Sequence, residues 1–163
     1  MYKILFVCTG NICRSPTADG YLRHVIKNKG LQNVLMSDSA GTHGYHIGCA
    51  PDQRSIKVGL SRGIDISSLK ARRFNKNDAN RFDLILAMDR GHLCAMQDFV
   101  APENPDKIKL FSDYLSDNSD SFQDVIDIPD PYYDDEEAFE DVYDLVAAGV
   151  DGIVKKLQDA ELI

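Results

Sequence analysis

Cys8 and Arg14 are separated by five residues, Thr9-Gly10-Asn11-Ile12-Cys13, and follow directly on the apolar run Ile4-Leu5-Phe6-Val7. Wrapped into a loop, that spacing lets the five backbone N–H groups and the Arg14 guanidinium converge above one sulfur. Convergent N–H groups form an anion-binding nest, and arginine adds a planar bidentate donor suited to phosphate. Ser15 and Pro16 come next. Serine suits a helix N-cap and proline the first helical position, so a helix N-terminus is expected to aim its partial positive charge at the same spot. A thiol in such a field ionises more readily than one in water. Gly10 and Asn11 tolerate the positive φ that a tightly wrapped loop requires. The residue types, in this order, describe a thiolate nucleophile beside a phosphate-shaped pocket. Cysteine is often only a small buried hydrophobe, and Cys-x5-Arg alone is weak evidence; its place at a strand-to-helix switch is what gives it weight. The loop lacks the G-K-[ST] ending of a Walker A loop.

The complementary chemistry lies far along the chain. Asp127-Ile128-Pro129-Asp130-Pro131-Tyr132-Tyr133 reads as a loop, since two prolines exclude regular structure. Thiolate attack on a phosphate monoester expels a poor alkoxide or phenoxide, and a carboxylic acid that protonates that oxygen contributes about 10²–10⁴-fold. Asp130, held between two prolines, is a stiffly placed candidate. Asp-Pro by itself is a common turn marker; Tyr132 and Tyr133 add weight, because aromatic walls suit an aryl substrate.

With these residues in view, the chain resembles the low-molecular-weight protein tyrosine phosphatases. The similarity is carried by Val7 to Pro16, Ser39-Ala40-Gly41-Thr42, Pro51-Asp52, Arg62-Gly63-Ile64-Asp65, Lys70-Ala71-Arg72, Phe82 to Asp89 and Asp130-Pro131-Tyr132-Tyr133. The segments stand in family order across nearly the whole chain. The resemblance implies Cys8 as nucleophile, Arg14 as phosphate clamp and Asp130 as general acid. It implies a phosphate cradle from Thr9, Gly10, Asn11, Ile12 and Cys13, loop support from Asn11 and Ser15, and Cys13 as redox partner of Cys8. Tyr45 stands where relatives often carry an aromatic residue that flanks the substrate ring, and Tyr132 and Tyr133 would add to the walls. The implied reaction is metal-free hydrolysis of phosphotyrosine, without cofactor, through a cysteinyl phosphate. The expected partners are a tyrosine-phosphorylated protein and, at the site, inorganic phosphate or other oxyanions. There are departures. Many relatives carry a histidine just before the [KR]-A-R segment, bonded to the loop asparagine; here the residue is Leu69, so Asn11 needs other support. Asp134-Asp135-Glu136-Glu137 replaces the glycine that often follows the two tyrosines.

Composition agrees with a small enzyme. The 163 residues suit one domain over 1–163. A net charge of −8, with acid concentrated between Asp130 and Asp144, argues against a nucleic-acid partner. Met1-Tyr2-Lys3 leads into an apolar run too short for a signal peptide, and no stretch is long enough to cross a membrane. Cysteines at 8, 13, 49 and 94 lack disulfide-framework or zinc spacing, and the histidines at 24, 43, 46 and 92 lack ligand spacing. A reducing cytoplasm, no metal, and a monomer or weak self-association are the expectations. Three rivals have sequence tests. An arsenate reductase on the same fold needs two further relay cysteines, and Cys94 stands alone in its region. A receiver module needs acidic residues where Cys8 stands. A non-catalytic phosphotyrosine-binding relative would not need Cys8, Arg14 and Asp130 together.

The elements that must position these groups alternate strand and helix. Strands are expected over Tyr2 to Val7, Leu35 to Ser39, Phe82 to Met88 and Ile108 to Phe111. Helices are expected over Pro16 to Lys29, stopped by Gly30, over Asp52 to Ser61, closed by Gly63, over Arg90 to Phe99, and over Glu136 to Asp159. In the last, Phe139, Val142, Tyr143, Val146, Val150, Ile153, Val154 and Leu157 recur at threes and fours as one core-facing stripe. Residues 112 to 126 read as an irregular polar connection. Alternation of this kind predicts an α/β fold, a doubly wound four-stranded parallel sheet with helices on both faces; the resemblance makes it flavodoxin-like. Ligands then sit beyond strand C-termini near a topological switch, where Cys8 belongs. Asp89 follows the third strand and would either orient a loop residue or cap the next helix. Lys70, Arg72 and Arg73 would form a positive rim or a solvated patch.

Overall fold

A computed structural model describes residues 1–99, 105–115, 122 and 124–163. Four strands form one parallel sheet: β1 (Tyr2–Cys8), β2 (Leu35–Gly41), β3 (Leu84–Ala87) and β4 (Ile108–Leu110), in the spatial order β2-β1-β3-β4. The chain moves from β1 to one side, then crosses to the other, so the switch point lies between β1 and β3. The helices are α1 (Arg14–Lys29), α2 (Gln53–Ser61), α3 (Asp78–Arg81), α4 (Arg90–Phe99) and α5 (Glu136–Asp159).

The alternation of side chains along a strand divides the core. Ile4 and Phe6 point into a layer built with Leu22 and Ile26 of α1 and Val146, Val150 and Ile153 of α5. Leu5 and Val7 point the other way, toward Phe74, Phe82, Ile85 and Met96. Both faces of β1 are covered and Ile4 to Val7 are fully buried, as the unbroken apolar run requires. A third cluster, Cys13 with Ile56, Val58, Ile64, Ile66, Phe139 and Tyr143, packs α2 and α5 against the loop after β1. No helix among the described residues is long and apolar enough to cross a membrane.

The expected boundaries shift where tertiary contacts outweigh local pattern. Strand β1 runs one residue further and ends on Cys8 itself. Helix α1 begins at Arg14 rather than Pro16; Pro16 still lies in the first turn, where a missing N–H costs nothing. Gly30, with φ of 69°, terminates it. Gly20 carries a propensity cost of roughly 1 kcal/mol inside a helix, but a Cβ there would lie 2.2 Å from Ile66 Cγ2. The close approach of the 64–66 segment to α1 therefore requires glycine. Strand β4 stops at Leu110, because Phe111 opens a 3₁₀ turn to Tyr114 and meets Phe6 edge to face at 6.0 Å. The connection expected over 112–126 lies partly outside the described residues.

Candidate active site

Cys8 ends the central strand with 3% of its surface exposed. Its sulfur lies 3.1 Å from the Ser15 hydroxyl. Ser15 is not the helix cap that its place before proline suggests: Cys13 holds that position and no side chain caps the helix. The serine turns inward instead. Its Oγ accepts from Asn11 Nδ2 at 2.9 Å, and its single hydrogen has two acceptors in reach, the Ala40 carbonyl at 3.3 Å and the Cys8 sulfur, where an O–H donor suits a thiolate.

Asn11 adopts the left-handed conformation, φ 57°, that its position predicts, while Gly10 does not. A Cβ at Gly10 would meet His46 Cδ2 at 2.9 Å, so a larger residue there would push the His46 ring aside. Asn11 is buried beneath the loop, and its side chain bonds to Ser15 and the Arg72 backbone rather than lining the cavity. In place of the missing histidine at Leu69, the backbone N–H of Arg72 donates to Asn11 Oδ1 at 2.9 Å. Arg72 is itself fixed by Asp38 and Asp78, at 2.9 and 3.0 Å. It is a strut under the loop, not part of a positive rim.

Arg14 is 2% exposed. Nη1 donates to Asp89 Oδ2 (2.8 Å) and the Ile128 carbonyl (3.0 Å); Nη2 donates to Asp130 Oδ2 (2.8 Å) and reaches Thr9 Oγ1 at 3.4 Å. Nε is buried with no partner among the described residues, a donor suited to an oxyanion over the loop. Asp89 does both things its position allows: it orients Arg14, and its Oδ1 accepts from His92 N at 2.8 Å in the first turn of α4.

Asp130 is half exposed at the mouth. Pro131 follows it, and the Tyr132 N–H donates to Asp130 Oδ1 at 3.2 Å, an Asx turn that fixes the carboxyl against its own backbone. Cys8, Thr9, Gly10, Ile12, Cys13, Arg14, Tyr45, Asp130, Tyr132 and Tyr133 line one cavity of about 250 Å³. Tyr45 stacks on His43, ring centroids 5.1 Å apart, and Tyr132 meets Tyr133 edge to face. The opposite wall is tied to the phosphate loop by Thr42 N to Cys8 O (2.8 Å) and His43 N to Thr9 O (2.9 Å).

Sequence reasoning passed over two histidines. His46 lines the cavity, its ring 6.4 Å from that of Tyr132. His92 is buried beneath the loop; Nε2 lies 2.8 Å from Thr9 Oγ1, and Nδ1 lies 3.0 Å from Asp89 Oδ1 without the geometry of a hydrogen bond. Burial pushes its pKa down to about 4, against the pull of Asp89 and with the help of Arg14. Between about pH 6.5 and 4 the unfolded chain therefore binds a proton at His92 that the folded chain refuses, so stability falls as pH drops through that window and is unaffected above it. Urea midpoints measured from pH 7.5 to 5 should decline for the native protein and flatten for His92→Asn; parallel curves would exclude His92 as the titrating group. Burial, with Cys8 as the next cause, pushes the Cys13 thiol well above its ordinary range.

Residues 3–161 match the family model described as low molecular weight phosphotyrosine protein phosphatase. The low molecular weight protein-tyrosine-phosphatase YfkJ of Bacillus subtilis is 35% identical over 158 residues, 97% of each chain. The protein tyrosine phosphatase of Entamoeba histolytica, solved with Hepes in its active site, matches with a TM-score of 0.90 at 35% identity over 99% of both chains. Wzb of Vibrio vulnificus, in complex with benzylphosphonate, matches with a TM-score of 0.81 at 31% identity over 96% of this chain and 99% of its own.

Proposed function

The chain belongs to the low molecular weight phosphotyrosine protein phosphatase family and is a protein tyrosine phosphatase; on that premise we propose that Cys8, Arg14 and Asp130 carry its reaction as nucleophile, phosphate clamp and general acid. The observation that carries this assignment is their convergence on one cavity, with Arg14 Nε, unpartnered among the described residues, beside it. The phosphoryl group enters over residues 9–13 and takes the place of the Asp130 carboxylate at Arg14 Nη2. Loop amides and guanidinium match the charge spread over the equatorial oxygens. As Cys8 Sγ attacks in line and the bond from phosphorus to the leaving oxygen breaks, Asp130 acts as general acid and protonates that oxygen, which departs as the phenol. The resulting cysteinyl phosphate is hydrolysed by a water whose proton Asp130 takes back. Tyr45, His46 and Tyr132 supply the walls for an aryl group, so the substrate is a tyrosine-phosphorylated protein, and inorganic phosphate and other oxyanions compete for the loop. A reduced thiol is essential to the scheme, so we place the protein in a reducing cytoplasm. The test is hydrolysis of a phosphotyrosine peptide with a chelator present, with mass spectrometry of protein quenched during turnover. Phosphate should appear on the Cys8 peptide; full turnover with none there would overturn the scheme.

The same loop sets a redox expectation. All four cysteines are free thiols, with Cys8 and Cys13 both buried at the two ends of the loop. Because burial keeps Cys13 protonated, peroxide should attack Cys8 first and convert its thiolate to a sulfenic acid. Cys13 would then displace water to close a disulfide, which dithiothreitol reduces. Peroxide inactivation should be reversible and yield a Cys8–Cys13 linked peptide. In Cys13→Ser it should become largely irreversible; full thiol recovery of that variant would leave Cys13 a packing residue.

A further inference from the structure

The 127–134 segment has two prolines and no regular structure, yet it must hold a carboxyl in place. Upstream of Asp130 its anchors are clear: the Ile128 N–H donates to the Met88 carbonyl at 2.8 Å, and Asp127 accepts from Arg90 N, Nε and Nη2. Downstream, the anchor comes from another part of the fold. Arg54, in the first turn of α2, donates from Nη2 to the Tyr132 carbonyl and from Nη1 to the Asp134 carbonyl, both at 3.0 Å. Its Nε and Nη2 also grip Asp52 at 3.0 and 2.9 Å, and its Cζ lies over the Phe139 ring, 4.2 Å from the centroid. Asp52 caps α2, and its own N–H donates to the Ile12 carbonyl of the phosphate loop at 2.8 Å. A single planar cation thus spans from the phosphate loop to the two carbonyls beyond the acid. One of those carbonyls belongs to Tyr132, whose N–H holds Asp130 Oδ1. Arg54 does not line the active cavity.

We propose that Arg54 is a positioning residue for the general acid, fixing the distance between Asp130 and the phosphate loop through the Asp52 fork and the Tyr132 and Asp134 carbonyls. The inference rests on Asp130 being the acid. It requires arginine, because a lysine keeps the charge but not the fork that serves a carboxylate and two carbonyls together. A misplaced acid harms most the substrates whose leaving group needs a proton.

The experiment measures kcat/KM, which contains leaving-group departure, for phenyl phosphate and for nitrophenyl phosphate. Arg54→Met should lose roughly tenfold or more with phenyl phosphate and less than about threefold with nitrophenyl phosphate. Arg54→Lys should show the same selective loss, and serves alone if the methionine variant does not fold. Lys57→Ala is the control, because Lys57 pairs with Glu136 between the same two helices without touching the 127–134 segment; its two rates should be unchanged. In an Asp130→Asn background, Arg54→Met should add less than about a twofold further loss. If Asp130→Asn is leaving-group selective but the Arg54 variants lose both substrates equally, or lysine restores both rates, Arg54 is not a positioning residue. If Asp130→Asn itself shows no selectivity, the acid assignment fails and the inference falls with it.

Discussion

Replacing Cys8 by serine is expected to abolish aryl phosphate turnover while inorganic phosphate still binds. Losing a nucleophile costs on the order of 10⁶ in kcat where catalytic groups act as a unit. A serine at position 8 would have the Ser15 hydroxyl as its near polar neighbour, 3.1 Å from the present sulfur, and a hydroxyl is no base. Among the described residues no base hydrogen-bonds at that position to activate the new oxygen. Affinity for phosphate has another source. Arg14 keeps its bonds to Asp89 and Ile128, and Asn11 keeps its bond from Arg72. Calorimetry with phosphate should therefore give a dissociation constant within a few-fold of the native value. Turnover above a trace would mean that the sulfur is not the attacking atom.

The parts of this site that sequence discloses are those whose geometry is set within a few residues. The step from an apolar strand into Cys-x5-Arg forces a tight loop, and Asp130 between two prolines has few conformations to choose from. The parts that escape depend on partners far along the chain. Ser15 looks like a cap by local rules, but Cys8 and Ala40 lie where its hydroxyl can be used in the interior. Arg72 looks like one of three exposed cations until Asp38 and Asp78 close on it. His92 is one histidine among four, without spacing to mark it; only the packing of α4 under the loop brings it to Thr9. Gly20 reads as a defect in a helix until Ile66 is seen to occupy the space its side chain would need. The four-residue helix α3 has no periodicity to detect, and rests on buried Asp78 accepting from Asn75 and Arg72. The doubly wound topology, by contrast, follows from the alternation of apolar strands with long helices, α1 marked by Pro16 and Gly30 at its ends and α5 by its apolar stripe.

Asp130→Asn should separate acid catalysis from loop shape. The amide is nearly isosteric, and its oxygen can still accept from the Tyr132 N–H or from Arg14 Nη2, so the turn and the cavity should survive. What it lacks is a proton to give. For phenyl or alkyl phosphates, turnover should fall by roughly 10²–10⁴-fold. For nitrophenyl phosphate, whose leaving group departs as an anion without help, the fall should be much smaller. A plot of log kcat/KM against leaving-group pKa should therefore steepen in the variant. The limb of the native pH profile that reports a protonated acid should vanish with it. Phosphate affinity should hold or rise, because the carboxylate that pairs with Arg14 at 2.8 Å no longer competes as an anion for Nη2. An equal loss across the leaving-group series, with the native pH profile retained, would show that Asp130 shapes the loop and that the proton comes from elsewhere.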